Sequence, residues 1–330
     1  MDTELRDLLK EYEKKHSQAL LDLENRKQQL YIKYPRLQEI DSALAQLTIS
    51  IVKCSLQQKE PSDAHLFQVQ QESLKKEKRS LLQDLKISSD FFKPHYECTQ
   101  CEDTGYITKN YITSMCSCLK QKLLDRQYNK CNIGNLQKEN FSFFQDSFYS
   151  PIPDTVKYHS DISPQENIQR IKEICLSFIQ HFDNPEEKNL LFTGNTGLGK
   201  TFLSNCIAKE LLEANKTVLY QTAPVMLDSI INDKFGKTNS HILDTILEVD
   251  LLIIDDLGTE YQNNLKFAEL YEIINTRLLN QNQKITKTII STNLTLNNLF
   301  STYDERIVSR IVGYYNICKF FGEDIRFQKR

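Results

Sequence analysis

The sequence predicts an α/β fold: a parallel sheet flanked by helices, preceded by a helical N-terminal region and a small cysteine-rich module. Three observations predict it. From about residue 163 onward, short apolar runs alternate with longer helical patterns, the mark of parallel strands joined by crossover helices. The first ninety residues contain no glycine and are rich in Glu, Lys, Gln and Leu, which favour helix. Between these regions lies a turn-rich stretch with two close cysteine pairs.

In the N-terminal region, 1–90, apolar residues recur at helical spacing: Leu8, Leu9, Tyr12, Leu20 and Leu23, then Ile40, Leu44, Leu47 and Ile51. Pro35 suits the first turn of a second helix, and Pro61-Ser62-Asp63 marks another break before Leu66, Val69, Leu74 and Leu81. Two or three long helices folded back as a hairpin or small bundle are expected. A solvated scaffold and a partner-binding surface are both compatible with that pattern.

The module at 91–125 carries Cys98-Thr99-Gln100-Cys101 and Cys116-Ser117-Cys118, with Gly105 in the loop between. Four thiolates in two pairs suit tetrahedral Zn²⁺ in a zinc-ribbon-like site. The second pair has one intervening residue where two to four are usual, and His95 is a substitute ligand on type. Free thiols and a redox C-x-x-C are the other two readings. The remaining cysteines (Cys54, Cys131, Cys175, Cys206 and Cys318) are isolated and read as small apolar residues. A linker at 126–162, containing Pro151-Ile152-Pro153, leads to the larger domain at 163–330.

The chain has 330 residues, 40% hydrophobic and 26% charged, with a formal net charge of −3. That length gives room for about two domains of ~150 residues each. The small net charge supplies no global basic field for nucleic acid. No run of ~18 apolar residues long enough to span a membrane occurs. The charged start, Met1-Asp2-Thr3-Glu4-Leu5-Arg6, lacks a signal peptide's apolar core, so a cytoplasmic location is expected.

Within the α/β domain, Asn189-Leu190-Leu191-Phe192-Thr193, Thr217-Val218-Leu219-Tyr220, Leu251-Leu252-Ile253-Ile254 and Thr288-Ile289-Ile290-Ser291 read as strands. The first runs into Gly194-Asn195-Thr196-Gly197-Leu198-Gly199-Lys200-Thr201, a G-x-x-x-x-G-K-T phosphate-binding loop between strand and helix. Its glycines let successive amides face phosphate oxygens, Lys200 brings a charge to the β and γ phosphates, and Thr201 offers a hydroxyl to Mg²⁺. The third strand ends in Asp255-Asp256. Two carboxylates after an apolar strand are expensive to bury, but beside a nucleotide Asp255 would hold Mg²⁺ and Asp256 would orient the attacking water. Asp256 is one methylene shorter than the usual Glu, and nearby Glu260 could share the task. The plain alternative is a capping turn over Asp255-Asp256-Leu257-Gly258. The fourth strand leads to Asn293, placed to meet the γ-phosphate or the lytic water, although Asn is also common in turns.

In this order the elements resemble the AAA+ ATPases. Asn293 then corresponds to their sensor 1 residue, and Asp304-Glu305-Arg306-Ile307-Val308-Ser309-Arg310-Ile311 looks like the segment carrying the arginine finger. Arg306 and Arg310 share one helical face; the resemblance favours Arg310 as a finger acting on a neighbouring subunit, with Arg306 its companion. Without it, an ordinary surface ion-pair helix with Glu305 is expected. The helical front, the run Tyr96-Glu97-Cys98-Thr99-Gln100-Cys101-Glu102-Asp103-Thr104-Gly105 and the closing Phe321-Gly322-Glu323-Asp324-Ile325-Arg326 narrow the resemblance to bacterial replicative helicase loaders of the DnaC/DnaI type, in the IstB-like ATP-binding family. Arg326 resembles a sensor 2 arginine.

That resemblance implies ATP hydrolysis with ATP and Mg²⁺, which the shorter Asp256 would slow, and homo-oligomers with ATP at subunit interfaces. It also implies engagement of a DnaB-type helicase through the N-terminal region and contact with single-stranded DNA. The alternative is an ATP-dependent accessory protein of a transposon or phage acting on duplex DNA. A metabolic P-loop kinase is disfavoured by Asn293, Arg306 and Arg310, and by the lack of an acceptor-binding lid.

Overall fold

A computed structural model describes residues 3–56, 61–127, 136–236, 242–261, 263–280 and 284–327. The chain divides into two compact units, Met1–Cys116 and Ser117–Arg330. Part of the expected linker, and Cys131 within it, lies outside the described residues, as does the side chain of Cys54.

The first unit opens with three helices, α1 (Thr3–Lys33), α2 (Pro35–Leu56) and α3 (Pro61–Asp84). Both prolines stand at a helix start, where a missing N–H costs nothing. Along α1 the buried residues are Leu8, Tyr12, Ala19, Leu23 and Leu30, spaced alternately four and seven apart, which places them on one stripe. Leu37 and Ile40 of α2 are also buried. The Arg36 guanidinium bridges to Glu77 through Nε at 2.8 Å and Nη2 at 3.2 Å, but both side chains are exposed and the pair adds little. A short hairpin follows, β1 (Tyr106–Lys109) against β2 (Ile112–Met115), antiparallel. Its turn residues Asn110 and Tyr111 both have positive φ, 50° and 65°, the handedness that matches strand twist in a two-residue hairpin.

The second unit contains α4 (Ser117–Gln127), α5 (Thr155–Tyr158), α6 (Pro164–Gln180), β3 (Asn189–Thr193), α7 (Lys200–Glu213), β4 (Val218–Thr222), α8 (Ala223–Lys234) and α9 (Ile242–Glu248). It continues with β5 (Leu251–Leu257), α10 (Asn264–Leu279), β6 (Lys287–Thr292), α11 (Leu296–Thr302), α12 (Glu305–Tyr314) and β7 (Tyr315–Lys319). The described strands form a parallel sheet in the order β4-β5-β6-β3-β7. Side chains alternate between its faces. Leu191, Leu219, Leu252, Ile254 and Ile290 join a core with α8, α9, α10 and α12. Leu190, Phe192, Tyr220, Ile253 and Ile289 join the opposite core with α6 and α7. Cys175, Cys206 and Cys318 sit in this second core as small apolar residues, and burial raises all three thiols above their usual range.

The four expected strands are present: β3 coincides with the expected Asn189–Thr193, and the other three differ by one to three residues at an end. β7 is an addition that the sequence reading missed. Its pattern, with Tyr315 and Cys318 buried but Ile317 and Lys319 exposed, is that of an edge strand rather than an apolar run.

Two buried cations fix the base of the sheet. Arg277 at the end of α10 donates to Ile246 O at 2.6 Å, Val249 O at 3.0 Å, Lys287 O at 2.7 Å and Thr288 Oγ1 at 3.0 Å. The Lys287 ammonium donates to Asn184 O at 3.0 Å and to Glu187 O. Both thus tie strand starts and loop carbonyls together at the end opposite the glycine loop.

Candidate functional site

β3 ends at Thr193 and α7 begins at Lys200, so residues 194–199 form the loop between them. Gly199 caps α7 with φ 87° and Gly197 has φ 75°, a left-handed region open to glycine at little cost. The Lys200 side chain curls under the loop. Its ammonium donates to Gly194 O at 2.6 Å, Asn195 O at 2.7 Å and Asn293 Oδ1 at 2.8 Å. Burial lowers its pKa to about 8, against the raising effect of the Asp256 and Asp255 charges. A cation held by neutral acceptors and depressed by desolvation is one that an arriving anion stabilises.

Asp255, at the buried end of β5, receives Thr201 Oγ1 at 3.2 Å, the Tyr220 hydroxyl at 2.5 Å, and Ser291 Oγ. Thr201 and Asp255, the two expected magnesium ligands, are therefore adjacent. Asp256 follows in a left-handed conformation, φ 55°, at a register shift between Ile254 and Leu257. Its carboxyl is raised by burial and by the neighbouring Asp255 charge, and lowered by Lys200 and Arg326. The loop, Asp255 and Asn293 meet through Lys200 and Thr201. The donor set suits a magnesium nucleotide: loop amides and an ammonium for phosphate, a hydroxyl and a carboxylate for the metal. Magnesium bound there would neutralise phosphate charge. A cavity of about 440 Å³ opens beside Gly194 and Asn195, lined also by Tyr158, Thr295, Lys319 and Phe321, within the size of ligand pockets.

The segment after β7 crosses the loop. A Cβ on Gly194 would stand 2.2 Å from Phe320 O, and one on Gly197 would stand 2.0 Å from the Asp324 carboxylate. Ile325 N donates to Gly197 O at 3.0 Å. Arg326, carried by this crossing, acts on the charges of both Lys200 and Asp256.

Glu260 is placed differently from a free second base. Its carboxylate accepts from Gly258 N at 2.9 Å and from the Tyr303 hydroxyl. Arg306 and Arg310 are grouped on Tyr271 of α10: the Arg310 guanidinium lies 4.6 Å and that of Arg306 5.2 Å from its ring centre. Arg310 donates to Asn275 Oδ1 at 2.7 Å and to the Tyr271 hydroxyl at 2.9 Å. The ion-pair partner in this helix is Asp304, which takes Arg306 Nε at 2.9 Å and Nη2 at 3.0 Å, in place of the expected Glu305. Tyr220, Ser291 and Tyr303 were missed in the sequence: Tyr220 and Ser291 each follow an apolar pair in a strand, and Tyr303 sits at a junction between two helices.

In the cysteine module, the sulfurs of Cys98, Cys101, Cys116 and Cys118 all lie within 4.8 Å of one another. The Cys98 and Cys116 sulfurs are 3.9 Å apart, close to the ~3.8 Å edge of a tetrahedron with Zn–S of about 2.3 Å. Asp103 shapes the first knuckle, accepting from Glu97 N and Cys98 N at 2.8 Å each, and Gly105 N donates to Cys101 Sγ at 3.3 Å. His95 stands outside the group, its ring 3.3 Å from Arg26 Nη1.

The family model for IstB-like ATP binding proteins matches residues 156–330, a span that contains the whole site. The chain belongs to this family. Within that span the G-x-x-x-x-G-K-T loop joins β3 of the parallel sheet to α7, with Asp255 and Asn293 beside it. Among curated relatives, this IstB-like chain is 26% identical over 137 residues to the replicative helicase loader DnaC of Escherichia coli K12, covering 41% of this chain and 54% of the relative. It is also 26% identical over 147 residues to the putative insertion sequence ATP-binding protein y4pL of Sinorhizobium fredii, covering 43% and 58%. The chain thus spans about half the length of the curated relatives it matches. The crystal structure of the DnaC helicase loader aligns with TM-score 0.45 and 22% identity over 57% of this chain and 99% of that one. That of DnaI aligns with TM-score 0.46 and 19% identity over 57% and 93%. No described helix is long and apolar enough to cross a membrane.

Proposed function

We propose that this chain uses ATP to place a DnaB-type replicative helicase on single-stranded DNA in the cytoplasm during replication. The observation that carries the proposal is a composite chain: an ATPase site related to that of a replicative helicase loader, preceded by a helical unit and a four-thiol cluster. Residues 1–90 bind the helicase, 91–125 form the zinc module, 126–162 the linker and 163–330 the AAA+ domain. Loop amides and Lys200 hold the phosphates; Thr201 and Asp255 hold Mg²⁺. Asp256 orients the attacking water and Asn293 reads the γ-phosphate. Arg310, with Arg306 beside it, reaches the γ-phosphate of the next subunit in a homo-oligomer, supplying charge where the transition state develops it. Nucleotide state changes the affinity of the assembly, so hydrolysis releases the helicase.

A second reading, an accessory ATPase of a transposon or phage on duplex DNA, draws on the equal identity to the insertion sequence protein. Co-purification separates the two. The full chain with ATP should retain a DnaB-type helicase and lose it when residues 1–90 are deleted. Retention of a transposase and no helicase would overturn the first reading.

A further inference from the structure

Glu260 and Tyr303 are 43 residues apart in the chain and meet in the core, 5% and 4% exposed. A buried carboxylate is costly unless both oxygens are used, and here both are: one takes the phenol, the other the Gly258 amide. Gly258 belongs to the same tight turn as Asp256. Thr259 donates to Asp256 O through its N–H at 3.2 Å and its hydroxyl at 2.7 Å, and Asp256 N donates to Ser291 Oγ at 3.1 Å. Asp256 needs such support because a non-glycine residue at φ 55° persists only where its surroundings fix it. The turn has little slack: a Cβ on Gly258 would stand 2.7 Å from Leu294, next to Asn293. On its other side, Tyr303 ends α11, stacks edge-on against Phe267 at 5.3 Å, and directly precedes Asp304, the cap of α12.

We propose that Glu260 and Tyr303 are positioning residues for ATP hydrolysis, a buried clamp that holds the turn after β5 so that the Asp256 carboxylate faces the attacking water. The clamp touches neither nucleotide nor magnesium; it acts through the geometry of Asp256, and so rests on the role given to Asp256 above. Glu260 is thereby a support of the base rather than a second base.

The test uses full-length protein and Tyr303→Phe, which deletes one oxygen and keeps the ring. ATP affinity and KM should stay within about twofold, while kcat falls about tenfold, the scale of lost support for a catalytic group. Glu260→Gln, whose amide oxygen still takes Gly258 N–H while its NH2 can donate to the tyrosine oxygen, should keep most of the rate. In an Asp256→Ala background, Tyr303→Phe should cost nothing further, because no carboxylate remains to be placed. Thermal unfolding of each variant checks that the fold survives. Losses that multiply between Tyr303→Phe and Asp256→Ala, or a rise in KM with kcat unchanged, overturn the clamp alone. An Asp256→Ala chain that hydrolyses ATP at the normal rate removes the role of Asp256, and the clamp with it.

Discussion

ATP binding should draw a proton onto Lys200, and the size of that uptake follows from the lysine's surroundings. Without nucleotide, burial holds its pKa near about 8, against 10.5 for the exposed side chain. That difference is about 3 kcal/mol at 1.36 kcal/mol per unit. Triphosphate and magnesium bring net negative charge to the ammonium and return its pKa well above 8. At pH 8 the free protein carries the charge in about half of its molecules, so binding takes up about half a proton; at pH 7 the uptake falls to about a tenth. Isothermal titration calorimetry with a non-hydrolysable ATP analogue, in buffers of differing ionisation enthalpy, measures the uptake as a slope. Stability of the nucleotide-free protein should follow the same group. The unfolded lysine keeps its proton to higher pH than the folded one, so stability rises between about pH 8 and pH 10.5. Lys200→Met should flatten that rise. An uptake at pH 8 no larger than at pH 7 would refute the account of Lys200 as a cation stressed by burial.

Three further outcomes are expected. Protein purified without chelator should carry about one zinc per chain, and stripping it should lower the melting temperature; metal analysis that finds none ends the zinc reading. Arg310→Ala should bind ATP normally yet hydrolyse it about 10³-fold more slowly under assembling conditions, the scale of an arginine finger. Normal turnover would reduce Arg310 to its bonds with Asn275 and Tyr271. Arg277→Met should destabilise the second unit by about 2–3 kcal/mol in urea denaturation, because the buried carbonyls it leaves without a donor cost about 1–3 kcal/mol each, more than the desolvation of the cation that is relieved. A variant as stable as the parent would contradict this weighing.

The central strands were legible because each is buried on both faces and therefore reads as an unbroken apolar run: Leu190-Leu191-Phe192, Leu251 onward, and Ile289-Ile290. β7 was not, since Asn316 and Lys319 interrupt it at the sheet edge. Residues 194–201 were legible as a motif because phosphate binding by backbone demands those glycines in that order. Their companions were harder to see. Tyr220 and Ser291 support Asp255 from positions next to the aliphatic pairs of β4 and β6, and nothing in their local pattern marks them. Tyr303 meets Glu260 through tertiary packing, a contact that no spacing rule encodes. The cysteine pairs announced a cluster, but only folding separates His95 from it.

The two buried cations at the base of the sheet carry a mechanical consequence. Arg277 and Lys287 bind the starts of β5 and β6 to the carbonyls around them, while the opposite ends of the same strands bear Asp255, Asp256 and Thr292. The roots of β5 and β6 are thus held by a guanidinium and an ammonium at the end of the sheet away from the glycine loop, and the tips that carry the carboxylates by a separate set of contacts from Tyr220, Ser291 and Tyr303.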